Sequence, residues 1–304
     1  MAEIIQKDGT WSFEGDAVRI VPGSDKGVAL LRRTLGELVV PLGAMAGISF
    51  EPGRKSGRLR LRLREGADPL TQVTGGKLDQ ASDPYGLTVE SDRTGVAEYF
   101  VDEVRNALLL DQIDPGPVDR FLLPGPSLPL TVGAGDGTVV FDGEQIRLEW
   151  NWKTESSKSS GGARTLRVSD VVAVEWFPAA GLEEGYLRFQ TTREPTRTPP
   201  AHDPHAVELY GFKKDPLMAL AAAAVAVRMP HPNAPKPVTT QKEAVQVAAG
   251  DARPAALEGP AAVPAAEDHD VLLRRLRELG ELHQAGILTD EEFTTAKQAV
   301  LKRL

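Results

Sequence analysis

Four arginines that alternate with leucines form the densest positive patch of this sequence. They are Arg58, Arg60, Arg62 and Arg64. Because successive side chains of a strand point to opposite faces, all four are expected to project from one face. Guanidinium groups bind phosphate and carboxylate oxygens, so this face could hold a phosphate ligand, an acidic partner or an anionic lipid surface. The alternative is a solvated strand face whose charges oppose aggregation.

The first two-thirds of the sequence contains one pattern twice. Matched residues keep a constant offset of 128, as between Asp8 and Asp136. The first set is Asp8, Gly9, Thr10, Phe13, Gly15, Arg19 and Ile20, and the second is Asp136, Gly137, Thr138, Phe141, Gly143, Arg147 and Leu148. A repeat of this length predicts two copies of one domain, because solenoid repeats run to about 20–50 residues.

The two copies allow an internal comparison, since a side chain with a shared role should occur in both. The positions that match the four arginines are Tyr186, Arg188, Gln190 and Thr192. Only one arginine persists, so the basic strand is particular to the first copy. Any ligand that it binds would be a property of that copy and not of the shared fold.

Other residue types offer little chemistry. The sequence has no cysteine, which excludes disulfides, thiolate catalysis and cysteine-based metal centres. The glycine-rich segment 133–137 leads into a strand, whereas a phosphate-binding loop opens a helix. His202 and His205 with Asp203 could ligate a metal, but a polar loop is the simpler interpretation. We therefore predict no catalytic residue, no cofactor and no metal.

An aromatic strand end precedes a polar loop in the second copy. Trp150 and Trp152 flank Asn151, and the segment 153–162 is rich in lysine, serine and glycine. These residues could form a binding rim. The alternative is that one tryptophan packs in the core and the loop is a mobile excursion.

The composition is that of a soluble, acidic protein. The 304 residues are 41% hydrophobic and 26% charged, with a formal net charge of −8. This charge argues against nucleic-acid binding, which usually needs a basic domain or face. The first residues lack the pattern of a secretory signal, and the longest apolar run, 217–227, is shorter than the roughly 20 residues that span a bilayer. The expected location is the cytoplasm.

Hydrophobic periodicity predicts a mainly β fold with added helices (α+β). Period-two strands separated by turns are followed in each copy by an apolar helical pattern, as at Val96, Phe100 and Val104. We expect two tandem β-barrel or sandwich domains, each closed by a C-terminal helix. The predicted segments are copy one (4–110), a proline-rich connector (111–131), copy two (132–229), a flexible Pro/Ala-rich linker (230–266) and a helical hairpin (267–304).

The hairpin pattern is sharply defined. The first helix has an apolar face formed by Leu272, Leu273, Leu276, Leu279 and Leu282. Gly286 ends that helix, and Thr289 with Glu292 forms a capping box for the second. A two-helix unit this small buries too little apolar surface to be stable alone. It should therefore dock on another copy or a partner, or alternatively on its own β domains; the candidate assembly residues are Leu276, Leu279, Ile287, Leu288, Phe293 and Val300.

Two resemblances follow from these patterns. The run from Gly286 to Phe293, with Leu276, Leu279 and Leu301 around it, resembles the short C-terminal domain called SHOCT. The duplicated unit resembles a bacterial family of unknown function that often occurs as paired copies before such a tail. The resemblance implies pleckstrin-homology-like (PH-like) domains and oligomerisation through the tail. It implies no established activity and no catalytic residues.

The sequence favours a non-enzymatic function. We expect a cytoplasmic interaction or scaffold protein that assembles through the hairpin, while the β pair presents a binding surface. The alternative is a peripheral protein that binds anionic lipid or a phosphate ligand through the basic strand of copy one. A hydrolase is a third class, but the sequence offers no clustered polar groups for it.

Overall fold

Alternating apolar and polar residues form the strands of the first copy. In the computed structural model, which describes residues 1–181, 183–192 and 198–234, most apolar residues of these strands are buried, whereas Ile5, Val21 and Val39 are exposed. The strands are β1 (Ala2–Gln6), β2 (Gly9–Phe13), β3 (Ala17–Pro22), β4 (Leu38–Pro41), β5 (Met45–Glu51), β6 (Ser56–Leu63) and β7 (Gly86–Glu90). The strands β1–β4 form one antiparallel sheet and β5–β7 form a second.

Three helices accompany these sheets. They are α1 (Leu30–Leu35), α2 (Pro69–Thr74) and α3 (Thr94–Leu110). The short helix α2 begins at Asp68, whose carboxylate accepts hydrogen bonds from the backbone N–H groups of Leu70 (3.3 Å) and Thr71 (2.8 Å). Gly75 ends it in the left-handed conformation, with φ at 54°. The closing helix α3 packs against β1, β5 and β7 and buries Phe100 in the core.

The second copy repeats this order. Its strands are β8 (Leu130–Ala134), β9 (Gly137–Phe141), β10 (Gln145–Trp150), β11 (Arg164–Arg167), β12 (Val171–Phe177), β13 (Gly185–Thr191) and β14 (Ala206–Leu209). They form antiparallel sheets of four and three strands, β8–β11 and β12–β14. The helices are α4 (Ser156–Ser159) and α5 (Met218–Ala226). The predicted fold class, mainly β with added helices, is confirmed.

The closing helix of copy two is buried on every side. A 3₁₀ turn, Asp215–Leu217, precedes α5, and all residues from Met218 to Val225 are buried. A helix that is apolar all round must be covered on all faces. The strands β8, β9, β12 and β13 cover one side, and α2 of copy one lies against the helix as well. Small alanine side chains allow this close approach from both sides.

The core of copy two therefore extends into copy one. Leu31 of α1 and Leu70 of α2 belong by sequence to copy one, yet both pack within the hydrophobic cluster of copy two. The ammonium of Lys77 lies 3.6 Å from the ring centre of Phe177, which adds a cation–π contact between the copies. These contacts join the copies into one packed body.

The connector and the end of the described chain run along copy one. The backbone N–H of Val118 donates to the carbonyl of Glu65 (2.9 Å), and Leu123 is buried. The ring nitrogen Nε2 of His231 lies 2.9 Å from the carbonyl oxygen of Gly66. Both segments thus fix the turn that follows β6.

Two further predictions concern membrane-spanning segments and the C-terminal hairpin. No helix in the described ranges is long and apolar enough to cross a membrane. The predicted hairpin and most of the predicted linker lie outside the described residues, and so do all six candidate assembly residues, Leu276, Leu279, Ile287, Leu288, Phe293 and Val300.

Candidate functional site

The basic strand is β6, which contains Arg58, Arg60 and Arg62, whereas Arg64 directly follows its end. The two outer arginines, Arg58 and Arg64, have structural partners. Arg64 donates from Nε to the carbonyl of Gly116 (2.8 Å) and from Nη1 to the carbonyl of Gly43 (2.9 Å). Arg58 lies 4.0 Å from the carboxylate of Asp83. Partial burial lowers the pKa of Arg58 from its ordinary value, and the charge of Asp83 opposes that effect. Both guanidinium groups therefore hold loops in place.

The two inner arginines are exposed and line a cavity. Within the described part of the chain, Arg60 and Arg62 have neither an ion-pair nor a hydrogen-bond partner. The cavity beside them has a volume of about 890 Å³ and is bounded by β5, β6, the α2 region and the end of α3. Arg105 of α3 also lines it and donates from Nε to the carbonyl of Ile48 (3.2 Å). Three guanidinium groups thus surround one concavity.

The lining of this cavity is half apolar. Its apolar members with accessible side chains include Leu63, Leu78, Leu108 and Leu109. Its acidic members are Glu51 and Asp83, and Asp83 already faces Arg58. The site therefore combines positive charge with a leucine-lined wall, an arrangement that suits a ligand with an anionic group and an apolar part.

A buried carboxyl group lies behind the cavity wall. Asp68 caps α2, accepts a hydrogen bond from the hydroxyl of Thr71 (2.7 Å) and is hydrogen bonded to the hydroxyl of Tyr85. Burial raises the pKa of Asp68, and burial together with Asp68 raises the pKa of Tyr85. These bonds fix α2 against the sheet, so we assign Asp68 a structural role.

The aspartate of the repeated Asp-Gly-Thr motif makes the same contact in both copies. Asp8 accepts a hydrogen bond from the backbone N–H of Thr88 in β7 (3.1 Å), and Asp136 accepts one from the N–H of Glu208 in β14 (2.8 Å). Each carboxylate thereby ties the first hairpin of its copy to the last strand. The recurrence of the motif indicated from sequence alone that the aspartate has a shared role. It did not indicate which strand the aspartate contacts.

A cation also reaches each aspartate from the helix inserted before the fourth strand. Arg32 of α1 lies 3.4 Å from Asp8, and Lys158 of α4 lies 2.6 Å from Asp136. The side chains of Lys158 and Asp136 are 0% and 1% exposed, so this second ion pair is fully buried. Arg32 and Lys158 do not align with each other when the two copies are compared at the constant offset. Sequence comparison therefore did not reveal their common role.

Comparison with known families agrees with this duplicated architecture. The profile of the domain of unknown function DUF4429 matches residues 11–105 and again residues 139–226. The chain belongs to the DUF4429 family. The profile of the short C-terminal domain, SHOCT, matches residues 274–301. Both predicted resemblances and the two-copy repeat are thus confirmed. A search of curated proteins found no match.

In the described part of the second DUF4429 copy, the positions that match the four arginines form no such site. Arg188, the one arginine that persists, pairs through Nε with the buried carboxylate of Asp203 (2.8 Å) and donates from Nη2 to the carbonyl of Thr198 (2.7 Å). Tyr186 packs beside it, with the guanidinium carbon 5.1 Å from the ring centre. The residues that could have formed an anion site are here engaged internally.

The histidines of this copy also have local partners. His202 lies 2.9 Å from the hydroxyl of Ser157 through Nδ1, and Nε2 of His205 accepts a hydrogen bond from Arg164 (3.1 Å). Asp203 faces Arg188 and caps the turn before β14. In the ranges that the structure describes, no group of three acidic or histidine side chains is placed to hold a metal.

A second buried acidic group of this copy lies beside the Lys158–Asp136 pair. Glu208 accepts a hydrogen bond from the hydroxyl of Tyr210 (3.1 Å) and is hydrogen bonded to Glu184. Burial, together with Glu184, raises the pKa of Glu208 to about 7. Burial and the bond to Glu208 also raise the pKa of Tyr210. Near neutral pH Glu208 is therefore partly protonated.

Proposed function

We propose that the first DUF4429 copy is a non-enzymatic binding domain for an anionic amphiphile. The observation that carries this proposal is the position of Arg60 and Arg62. They are exposed on β6 at the edge of the leucine-lined cavity, while the neighbouring Arg58 and Arg64 are engaged with protein groups. An exposed guanidinium can form paired hydrogen bonds with a phosphate or a carboxylate.

The leucines of the cavity supply the second part of the binding energy. An apolar chain that leaves water gains about 0.8 kcal/mol per buried methylene group. Arg105, held in place by the carbonyl of Ile48, adds a third positive group beside this wall. A molecule with one anionic head and one alkyl chain would use both features, whereas inorganic phosphate would use the arginines alone.

We also infer that each copy is a PH-like domain and that the protein works in the cytoplasm. Seven antiparallel strands in sheets of four and three, followed by a helix, support the PH-like assignment. The absence of cysteine fits a reducing compartment.

The binding proposal predicts the behaviour of the variant Arg60→Ser/Arg62→Ser. Binding of dodecyl phosphate or dodecanoate, measured by titration calorimetry, should weaken by about tenfold or more, because each lost charged hydrogen bond is worth on the order of 1.5–3 kcal/mol. The matched control Arg33→Ser/Arg93→Ser removes the same charge from exposed positions elsewhere in copy one. It should bind as the unchanged protein does.

Comparison of the probes separates the possible ligand sources. A preference for dodecyl phosphate indicates a phosphate head, and a preference for dodecanoate indicates a carboxylate head. Equal binding of uncharged dodecanol, or unchanged binding by the Arg60→Ser/Arg62→Ser variant, would contradict the proposal. Binding should also weaken as salt is added, because exposed charges are screened.

A second proposal concerns the C-terminal segment. We propose that the SHOCT region assembles copies of this chain or attaches a protein partner. The match over residues 274–301 and the leucine spacing of the predicted first helix support it. Light scattering should give a multimeric mass for the full chain and a monomeric mass for a chain that ends at Ala266. The variant Leu276→Ser/Leu279→Ser should be monomeric like the shortened chain. The same number of subunits in all three proteins would contradict self-assembly.

A further inference from the structure

Two neighbouring loops of the second copy form an exposed surface that the anion-binding proposal does not use. One loop follows β10 and contains Trp152 and Lys153, and the other follows β14 and contains Phe212, Lys213 and Lys214. We call these five residues the aromatic–lysine rim. All of them except Trp152 line a depression of about 440 Å³.

Hydrogen bonds from the interior hold both loops in place. The backbone N–H of Asn151 donates to the carbonyl of Asp136 (3.1 Å) in the first loop. In the second loop, the carboxylate of Asp215 accepts from the N–H groups of Tyr210 (2.8 Å) and Phe212 (3.0 Å). Asp215 is itself buried, so its charge acts as an internal cap and not as part of the surface.

The rim exposes large aromatic side chains in one place. Trp152 is 88% exposed and Phe212 is 55% exposed. The ammonium of Lys153 lies 4.5 Å from the ring centre of Phe212 and 5.6 Å from that of Trp152, so the two rings share one patch. Tryptophan at a protein surface typically marks an interface with one apolar and one wet side.

Positive charge surrounds these rings. Lys153, Lys213 and Lys214 are all exposed, in a chain whose net charge is −8. The hydrogen bonds of this region reveal two acidic groups, and both are largely buried. Asp215 accepts from the N–H of Phe212, and Glu208 is bonded to Tyr210 and Glu184. The rim is therefore a local positive patch with an apolar centre.

We propose that the aromatic–lysine rim docks this protein on an anionic lipid bilayer. Aromatic rings enter the interfacial layer while the lysines contact lipid phosphates, and each basic residue near an anionic membrane adds to the attraction. The rings are held beside their lysines before docking, so little ordering is required. Single-stranded nucleic acid also stacks on aromatic rings, but it needs a basic groove that follows its backbone. Three lysines around two loop tips favour a bilayer.

The test uses the full chain with vesicles of phosphatidylcholine, with and without phosphatidylglycerol. Co-sedimentation should occur only with phosphatidylglycerol present, and the fluorescence of Trp152 should shift to shorter wavelength on binding. The variant Trp152→Ser/Phe212→Ser should lose most of the binding in co-sedimentation. The variant Lys153→Gln/Lys213→Gln/Lys214→Gln should bind at least about tenfold more weakly, because each lysine adds to the electrostatic attraction.

Two control variants test whether vesicle binding depends on the rim and not on positive charge elsewhere in the protein. The variant Lys26→Gln/Arg33→Gln/Arg93→Gln removes three exposed positive charges from copy one and should bind vesicles normally. The Arg60→Ser/Arg62→Ser variant should also retain vesicle binding, which separates this proposal from the amphiphile site. Vesicle binding that the rim variants leave unchanged, absence of binding by the full chain, or tighter rim-dependent binding of single-stranded DNA than of vesicles would each overturn it.

Discussion

Replacement of Lys158 by methionine is expected to lower the free energy of unfolding by about 3–5 kcal/mol, because it leaves the carboxylate of Asp136 buried without a counter-charge. The two side chains are 0% and 1% exposed and lie 2.6 Å apart. Lys158 also donates to the carbonyl of Pro200 (3.2 Å), and its ammonium lies 4.6 Å from the ring centre of Trp150. Denaturant unfolding followed by tryptophan fluorescence measures the change.

Two further variants establish whether burial is the reason. Lys7 forms an ion pair with Glu90 at 2.8 Å, but both side chains are exposed, so Lys7→Met should change stability by about 1 kcal/mol or less. The double variant Lys158→Met/Asp136→Asn removes both charges and should recover a large part of the loss, because asparagine keeps an oxygen for the N–H of Glu208. A loss for Lys158→Met no larger than that for Lys7→Met would contradict the assigned role.

Replacement of Leu31 by alanine should destabilise the protein by about 2–5 kcal/mol, the usual cost of a large-to-small change in a core. Leu31 is 1% exposed and lies in α1 of copy one, yet it packs within the core of copy two. The change should therefore loosen both copies together. The control Leu109→Ala, at a leucine that is 76% exposed, should have little effect.

Hydrogen exchange measures that coupling directly. In the Leu31→Ala variant the amides of β6 in copy one and β13 in copy two should lose protection by similar amounts, since both belong to one packed body. Two separate unfolding transitions, with only one copy affected by the substitution, would show instead that the copies are independent.

Local sequence patterns predicted the strands and helices that are long enough to show a full hydrophobic period. Alternating apolar residues marked β2 and β6, and the spacing of Phe100 and Val104 marked α3. The hydrophobic periods of strands and helices depend only on residues that are close in sequence, so they can be recognised without knowledge of the fold. The helices α1, α2 and α4 were not predicted, because each has six residues or fewer and shows no full helical period.

The candidate site was predicted only in part, because its function depends on distant partners. The sequence predicted four arginines on one strand. It did not indicate which of them are engaged by other parts of the protein and which remain exposed. Gly43 and Gly116 engage Arg64, and Asp83 faces Arg58, and all three partners come from other segments of the chain. What distinguishes Arg60 and Arg62 is the lack of such partners among the described residues, which no spacing rule reveals. The same holds for Lys158, whose buried partner is 22 residues away.

The alanine-rich helix α5 also constrains how the duplicated gene can evolve. Because this helix is covered by copy two on one side and by α2 of copy one on another, a gene that lost its first copy would encode a protein with an apolar helix in contact with water. Duplicated domains can usually be deleted or rearranged singly, but this pair should be transmitted as one unit. Recombination would be tolerated at the ends of the pair and selected against between its halves.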